Sequence, residues 1–171
     1  MRRWLAFVPL VALVLLGVLF AGYSLKRNPN VQPAALVGRP VPDLALPALE
    51  TGRPTPVRQA APGPLLINFY ASWCAPCELE APALMRLRGQ GVIILGIGYK
   101  DAPENNRAFL GRVGDPYAAR LLDRDGRAGL EFGVTGVPES FLVDASGVIT
   151  AKFTGELTPA EEREIVAATR R

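Results

Sequence analysis

Leu66-Ile67-Asn68-Phe69-Tyr70-Ala71-Ser72-Trp73-Cys74-Ala75-Pro76-Cys77 is the stretch on which the fold turns. Its first half continues a run from Pro64 to Ala71 that is short, apolar and rich in large side chains, the pattern of a strand buried on both faces. From Ala75 to Arg88 the spacing changes. Leu79, Pro82-Ala83, Leu84 and Leu87 recur at helical intervals, and Arg86 and Arg88 stand where cations favour a helix C-terminus. A second apolar run, Val92 to Ile97, completes a strand–helix–strand unit, which implies parallel strands.

Cys74 and Cys77, the only two cysteines, fall at the end of that strand and on the first turn of that helix. A thiolate at a helix N-terminus meets free backbone N–H groups and the positive end of the helix dipole, so its pKa drops below the usual ~8.5 and it becomes nucleophilic near neutrality. Cys74 is therefore read as the attacking thiol, and Cys77, one turn later, as the thiol that resolves a mixed disulfide. An inert structural bridge is the bland alternative, but so short a loop constrains the unfolded chain little. A zinc site needs two more Cys or His ligands, and the chain has no histidine. That absence also excludes Ser-His-Asp and Cys-His catalysis and an axial-His haem within this chain.

Working outward, the 171 residues suit one domain with an appendage. From Trp4 to Leu25 no residue is charged, a length that as a helix crosses a ~30 Å hydrocarbon core. The apolar stretch exceeds the ~7–15 residues of a cleaved signal, and the small residues near Ala21 do not form an A-x-A-like site. Residues 1–26 are thus expected to be an uncleaved anchor, with a cleaved signal as the alternative. Arg2 and Arg3 favour an inside amino terminus, although Lys26 and Arg27 weaken that bias. The net charge of +3 comes from these four residues; the rest carries fifteen basic against sixteen acidic side chains, so no nucleic-acid partner is expected.

Nine of the sixteen prolines lie between Pro29 and Pro64, which reads as a tether over 27–37 followed by extended chain. Val41 to Pro47 alternates, and Glu50-Thr51-Gly52 turns the chain before Val57, the pattern of an edge hairpin. Asp101-Ala102-Pro103-Glu104 has the form of a capping box opening a helix to about Leu110. Asp123-Arg124-Asp125-Gly126 reads as a turn leading to a short helix over Arg127 to Phe132. It lacks the Glu of a calcium loop. Gly96-Ile97-Gly98 at the end of a strand hints at a nucleotide loop but lacks both the third glycine and the ribose-binding acid that such a loop needs. Ser140–Val143 and Val148–Phe153 flank Asp144-Ala145-Ser146-Gly147 as an antiparallel hairpin, and Thr158-Pro159-Ala160-Glu161 caps a last helix to about Thr169.

The strand and Trp-Cys-Ala-Pro-Cys segment resembles the active-site strand and helix of the thioredoxin superfamily, with Pro82 where that family kinks the helix. Gly136-Val137-Pro138-Glu139-Ser140-Phe141-Leu142-Val143-Asp144 resembles its cis-proline loop and following strand. The resemblance covers roughly 37–170 and implies an α/β thioredoxin-like fold, a central mixed sheet flanked by helices, over 38–171 behind the transmembrane helix. It implies a cis Pro138 that turns the Val137 backbone toward the dithiol, where an extended substrate pairs beside Trp73. Asn68 stands where thioredoxins carry a buried aspartate that moves the proton of the second cysteine. Glu80, one turn after Cys77, is the candidate replacement; a solvated helix residue is its bland reading. Glu139 is expected either to add negative charge beside the thiols or to be an ordinary surface acid.

This combination is similar to the cytochrome c biogenesis thiol:disulfide interchange proteins of the DsbE/CcmG type, which have an anchor, a Val-Pro-x-Leu-x-Leu-Pro-like entry, Asn before the motif, Glu three after it, and Gly-x-Pro-Glu at the loop. That likeness implies a bacterial inner-membrane, single-pass protein whose catalytic domain faces the periplasm. There it reduces apocytochrome c or a thiol-bearing maturation partner and is recharged by a transmembrane thiol donor of the DsbD or CcdA type. No cofactor beyond the Cys74–Cys77 couple and no metal is implied. A broader-purpose reductase of the TlpA or ResA type and a non-catalytic redox-linked docking module remain open alternatives.

Overall fold

The computed structural model describes residues 12–16, 36–61 and 63–170. Residues 12–16 are helical, and the chain divides into the units Met1–Pro33 and Ala34–Arg171. Most of the expected anchor and tether lies outside the described residues. No helix among the described residues is long and apolar enough to cross a membrane.

The second unit runs β1 (Ala45–Pro47), β2 (Pro54–Pro56), β3 (Leu65–Tyr70), α1 (Ala75–Gly89), β4 (Ile94–Tyr99), α2 (Pro103–Val113), β5 (Ala119–Asp123), α3 (Arg127–Glu131), β6 (Glu139–Val143), β7 (Ile149–Thr154) and α4 (Pro159–Thr169). Five strands form one mixed sheet in the order β5-β4-β3-β6-β7, with β3 parallel to β4 and antiparallel to β6. This is the thioredoxin-like arrangement anticipated from β3 and its helix. All six residues of β3 are buried, because side chains on a strand alternate and here both faces are covered. Leu66 and Tyr70 point into one core with Leu84, Leu87, Ile94, Phe109 and Leu142. Ile67 and Phe69 point into the other with Leu95, Ile97, Phe132 and Phe141. In that second core Phe69, Phe132 and Phe141 meet edge to face at centroid distances of 5.1–5.8 Å, contacts worth about 0.5–1.5 kcal/mol each beyond the area they bury.

The β1–β2 hairpin forms its own two-stranded sheet, and a single bridge from Ala48 to Leu121 fastens it beside β5. Strand β5 carries little signal in the sequence. Only Leu121 and Leu122 carry its apolar signal, and the acidic turn that follows obscures it; β4 and the Ala48 bridge make it a strand. Helix α1 continues through Pro82, whose missing N–H leaves the Glu78 carbonyl without its i→i−4 bond. Arg86 on α1 grips Glu162 on α4 through two hydrogen bonds of 3.2 and 2.7 Å, so both helices sit over one face of the sheet.

One local expectation changes. The residue flanking α2 is Ala102, with no side-chain cap, so Asp101 and Glu104 form no capping box. The Asp101 carboxylate is drawn away to the Ser72 loop. The Gly96-Ile97-Gly98 fragment is interior β4 and not a phosphate loop: a Cβ at Gly96 would lie 2.7 Å from the Tyr117 ring, and one at Gly98 would lie 2.5 Å from the Asn106 amide. Both glycines make room for buried polar side chains.

Candidate active site

Strand β3 ends at Tyr70, and four residues later Cys74 takes the position flanking the N-terminus of α1. The two cysteines are joined as a disulfide with Cα atoms 5.3 Å apart. Cys74 Sγ accepts a hydrogen bond from the Cys77 backbone N–H at 3.1 Å, filling the role that a Ser or Asp oxygen usually plays at a helix start. When the bond is reduced, negative charge on this sulfur meets the same N–H and the helix dipole. Cys74 and Cys77 are both buried, at 5% and 3% exposure, while Trp73 beside them is 60% exposed. The Trp73 indole N–H donates to the Lys100 carbonyl at 3.3 Å.

The turn that presents this disulfide is held by Asp101. Its Oδ2 accepts the Ser72 N–H at 2.8 Å and the Asn106 side-chain amide at 3.2 Å. Its Oδ1 accepts the Ser72 hydroxyl and the Ala102 N–H at 2.8 and 2.9 Å. Asn106 in turn accepts the Tyr70 hydroxyl at 2.6 Å, which ties the loop to the end of β3.

Across from the dithiol, the Val137–Pro138 peptide bond is cis, as the family resemblance implied, and the Val137 carbonyl lies 3.4 Å from Cys74 Sγ. Val137 is half-buried and Pro138 buried. The Gly155 N–H donates to the Pro138 carbonyl at 2.9 Å, so β7 braces the loop from behind.

Glu80 is no solvated helix residue: it is 1% exposed. One oxygen, Oε2, accepts the Asn68 side-chain amide at 3.0 Å, and the other makes no hydrogen bond among the described residues. Asn68 is itself fully engaged. The same amide nitrogen donates to Ser140 Oγ at 3.0 Å, and its carbonyl accepts the Tyr117 hydroxyl at 2.8 Å. Burial pushes the Glu80 carboxyl from its ordinary 4.5 up to about 7. The Asn68 amide and, more weakly, the Leu157 backbone pull it down, while the nearby Glu156 and Glu161 add to the rise. Burial also raises the two stacked tyrosines: Tyr117 goes well above 10.0, and Tyr70 beside it, at 4.7 Å between centroids, rises too. Neither loses its proton near neutrality, and Tyr117 stays a donor to Asn68. A carboxyl that titrates near 7 one turn beyond Cys77 can take or return a proton at working pH.

Glu139 differs from both expectations. It is fully buried, not a surface acid, and its carboxylate does not face the thiols. Its neighbour Ser140 reaches Asn68 on the dithiol side, so alternation along β6 sends Glu139 to the opposite face. There Oε1 accepts the Thr135 N–H and hydroxyl at 3.2 and 2.6 Å, and the Lys152 ammonium lies 2.9 Å from Oε2. Sequence reasoning did not single out Tyr117, Asn106, Ser140 or Lys152. Each is one polar side chain in an otherwise apolar or mixed segment, and only the paired strands bring it to its partner.

No group of three or more His, Cys, Asp or Glu among the described residues is placed to hold a metal.

Comparison with known proteins agrees with this geometry. The Redoxin family model matches residues 36–169. The thiol:disulfide interchange protein HelX of Rhodobacter capsulatus is 40% identical over 161 residues, which span 92% of this chain and 90% of that protein. The thiol:disulfide interchange protein DsbE of Escherichia coli K12 is 35% identical over 168 residues, spanning 93% and 89%. Among solved structures, a Chlorobium tepidum protein described as a DsbE-type thiol:disulfide interchange protein superposes with a TM-score of 0.66 at 26% identity, covering 78% of this chain and 97% of its own.

Proposed function

Since the chain belongs to the Redoxin family of the thioredoxin superfamily and is a thiol-disulfide oxidoreductase, we propose that it serves as an exported reductant in cytochrome c maturation, held at the bacterial inner membrane by residues 1–26 ahead of a 27–37 tether and a catalytic domain over 38–171. The observation that carries the reading is Glu80, buried against Asn68 one turn from Cys77, with one oxygen that makes no hydrogen bond among the described residues. Such a group suits a reductase whose second thiol must lose its proton to attack.

In this reading the reduced protein meets a disulfide on apocytochrome c or on a thiol-bearing maturation partner. The partner chain lies extended beside Trp73 and pairs with the Val137–Pro138 backbone. Cys74 thiolate attacks one partner sulfur; an S–S bond forms between the proteins and the partner's other sulfur leaves as thiolate. Cys77 then gives its proton to Glu80 and attacks Cys74 Sγ, which closes the Cys74–Cys77 disulfide and releases the partner's second sulfur as thiolate; one partner thiolate takes up the proton from Glu80 and the other takes one from solvent, leaving the partner a dithiol. Two electrons have passed to the partner. A transmembrane thiol donor of the DsbD or CcdA type returns them, because the surrounding compartment oxidises dithiols.

The test is capture. Cys77→Ser removes only the resolving sulfur and is expected to accumulate a mixed disulfide through Cys74, whereas Cys74→Ser accumulates little. Identification of the captured chain as an apocytochrome c or a maturation protein supports the reading. Recovery of many unrelated exported proteins favours the broader-purpose reductase, and equal capture by both variants refutes the division of roles between the sulfurs.

A further inference from the structure

The loop that faces the disulfide is fastened from the side of the sheet away from the thiols. Helix α3 ends at Glu131, and after Phe132 and Gly133 the chain crosses Val134, Thr135 and Gly136 before the Val137 carbonyl comes within 3.4 Å of Cys74 Sγ. Glu139 begins β6 directly after this crossing. Its Oε1 reaches back to Thr135, taking both the N–H and the hydroxyl. Lys152, on β7, completes the fastening. In the β6–β7 register Glu139 faces Thr154 and Phe141 faces Lys152, so Lys152 is the diagonal neighbour of Glu139 on the same face. The Lys152 ammonium sits 2.9 Å from Glu139 Oε2, donates to the Gly133 carbonyl at 2.9 Å, and lies over the Phe141 ring at 5.4 Å. Its side chain is 9% exposed and that of Glu139 is not exposed at all. Both ends of the Gly133–Pro138 crossing are thereby tied to one buried ion pair.

We propose that Lys152 and Thr135 are positioning residues, which act through the Glu139 carboxylate to hold the Val137–Pro138 backbone at the distance from Cys74 that an incoming protein strand requires. The proposal rests on the reading of that backbone as the partner's pairing edge. Glu139 is then a mechanical element of the loop. It is not a charge that tunes the thiols, because its carboxylate is paired and lies across the sheet from them. A small disulfide needs only the sulfur of Cys74. A polypeptide disulfide also needs the loop, and misplacement by about 1 Å costs on the order of a hundredfold in a positioned reaction.

The experiment compares two oxidants on the reduced full chain: a disulfide-closed Cys-x-x-Cys peptide and bis(2-hydroxyethyl) disulfide. Oxidation is followed by Trp73 fluorescence for the protein, Lys152→Met, Lys152→Arg, Thr135→Val and Glu139→Gln. We expect Lys152→Met to lower the peptide rate by roughly ten- to a hundredfold while the small-disulfide rate stays within about twofold. Thr135→Val, at an exposed position that leaves the fold intact, loses a few-fold in the same ratio, and Lys152→Arg, which restores a cation, recovers most of it. A parallel fall with both oxidants, or no fall with either, overturns the proposal. So does a small-disulfide rate that changes several-fold in Glu139→Gln, because that result makes Glu139 a charge felt by the thiols. If the unaltered protein shows no preference for the peptide, the pairing edge itself is misassigned. If it prefers the peptide and Lys152→Met keeps that preference, only the fastening fails.

Discussion

Burial of the Glu80 carboxyl makes the protein less stable as pH rises toward neutrality, and replacing it with glutamine exposes the cost. In the folded protein the carboxyl holds its proton up to about pH 7, while in the unfolded chain it releases the proton near its ordinary 4.5. Between those values the folded state binds more protons than the unfolded state, so the free energy of unfolding falls as pH rises through the window and levels off above 7. A separation of this size corresponds to roughly 3 kcal/mol at 1.36 kcal/mol per unit. Glutamine is nearly isosteric, its carbonyl still accepts the Asn68 amide, and it carries no charge to bury. Glu80→Gln is therefore expected to unfold with little pH dependence of its own and to be more stable than the parent above pH 7 by about 2–3 kcal/mol.

Urea unfolding of the oxidised protein and the variant at pH 5, 6, 7 and 8 reads this directly, as the difference between the two curves. Subtraction matters because burial also raises Asp123, which adds a slope at lower pH common to both proteins. The same variant is expected to resolve mixed disulfides more slowly, by the lower part of the ~10²–10⁴-fold range for a proton-transfer group, with first attack by Cys74 nearly unchanged. A stability difference that stays flat from pH 5 to 8 would refute the account of a buried carboxyl held near neutrality. A stabilised variant with unimpaired resolution would separate the burial of Glu80 from any part in catalysis.

Three further outcomes follow from the packing and from the topology. Gly96→Ala places a Cβ 2.7 Å from the ring of a buried Tyr117 that stacks on Tyr70, and is expected to cost about 1–3 kcal/mol in urea unfolding. Asp101→Asn keeps the shape but turns an NH₂ toward donors that now find carboxylate oxygens; it is expected to destabilise by roughly 1–3 kcal/mol and to slow reduction of the disulfide, measured by stopped-flow fluorescence. A reporter joined after Arg171 is expected to behave as exported, and cytoplasmic activity of that fusion overturns the localisation.

What could be read in the sequence was local. The capping box at Thr158 and Glu161 forms, because both partners lie within one turn and their geometry is set by the helix start itself. The Asp144–Gly147 turn forms for the same kind of reason: the Asp144 carboxylate collects the Ser146 N–H and hydroxyl and the Val148 N–H, and Gly147 takes φ +82°. The Cys-Ala-Pro-Cys turn announces itself by spacing. Asp101 shows how a local rule fails. Its sequence context fits a cap, but Ser72, 29 residues earlier, offers two donors at a buried site, and that competition decides where the carboxylate goes. The surroundings of Glu80 were illegible because its supports are remote: Asn68 reaches Tyr117 across 49 residues and Ser140 across 72.

The two adjacent residues Glu139 and Ser140 show how one short strand serves both halves of the site. Pleating sends Ser140 toward Asn68, and through it toward the carboxyl that lies one turn from Cys77, while Glu139 goes to the opposite core to meet Thr135 and Lys152. The supports of Glu80 and the fastening of the Thr135–Pro138 loop are thus separated by the thickness of the sheet, although Glu139 and Ser140 are neighbours in the chain. A slip of β6 by one residue against β3 would exchange the two side chains. Glu139 would then stand beside Asn68 and Glu80, crowding two carboxyls at one buried site, and Lys152 would be left without its counter-ion. Both consequences are expensive, so the polar pairs that make the site also pin the register that forms it. Strand alternation places the negative charge written directly after Pro138 on the face away from the thiols, and Lys152 pairs with it there.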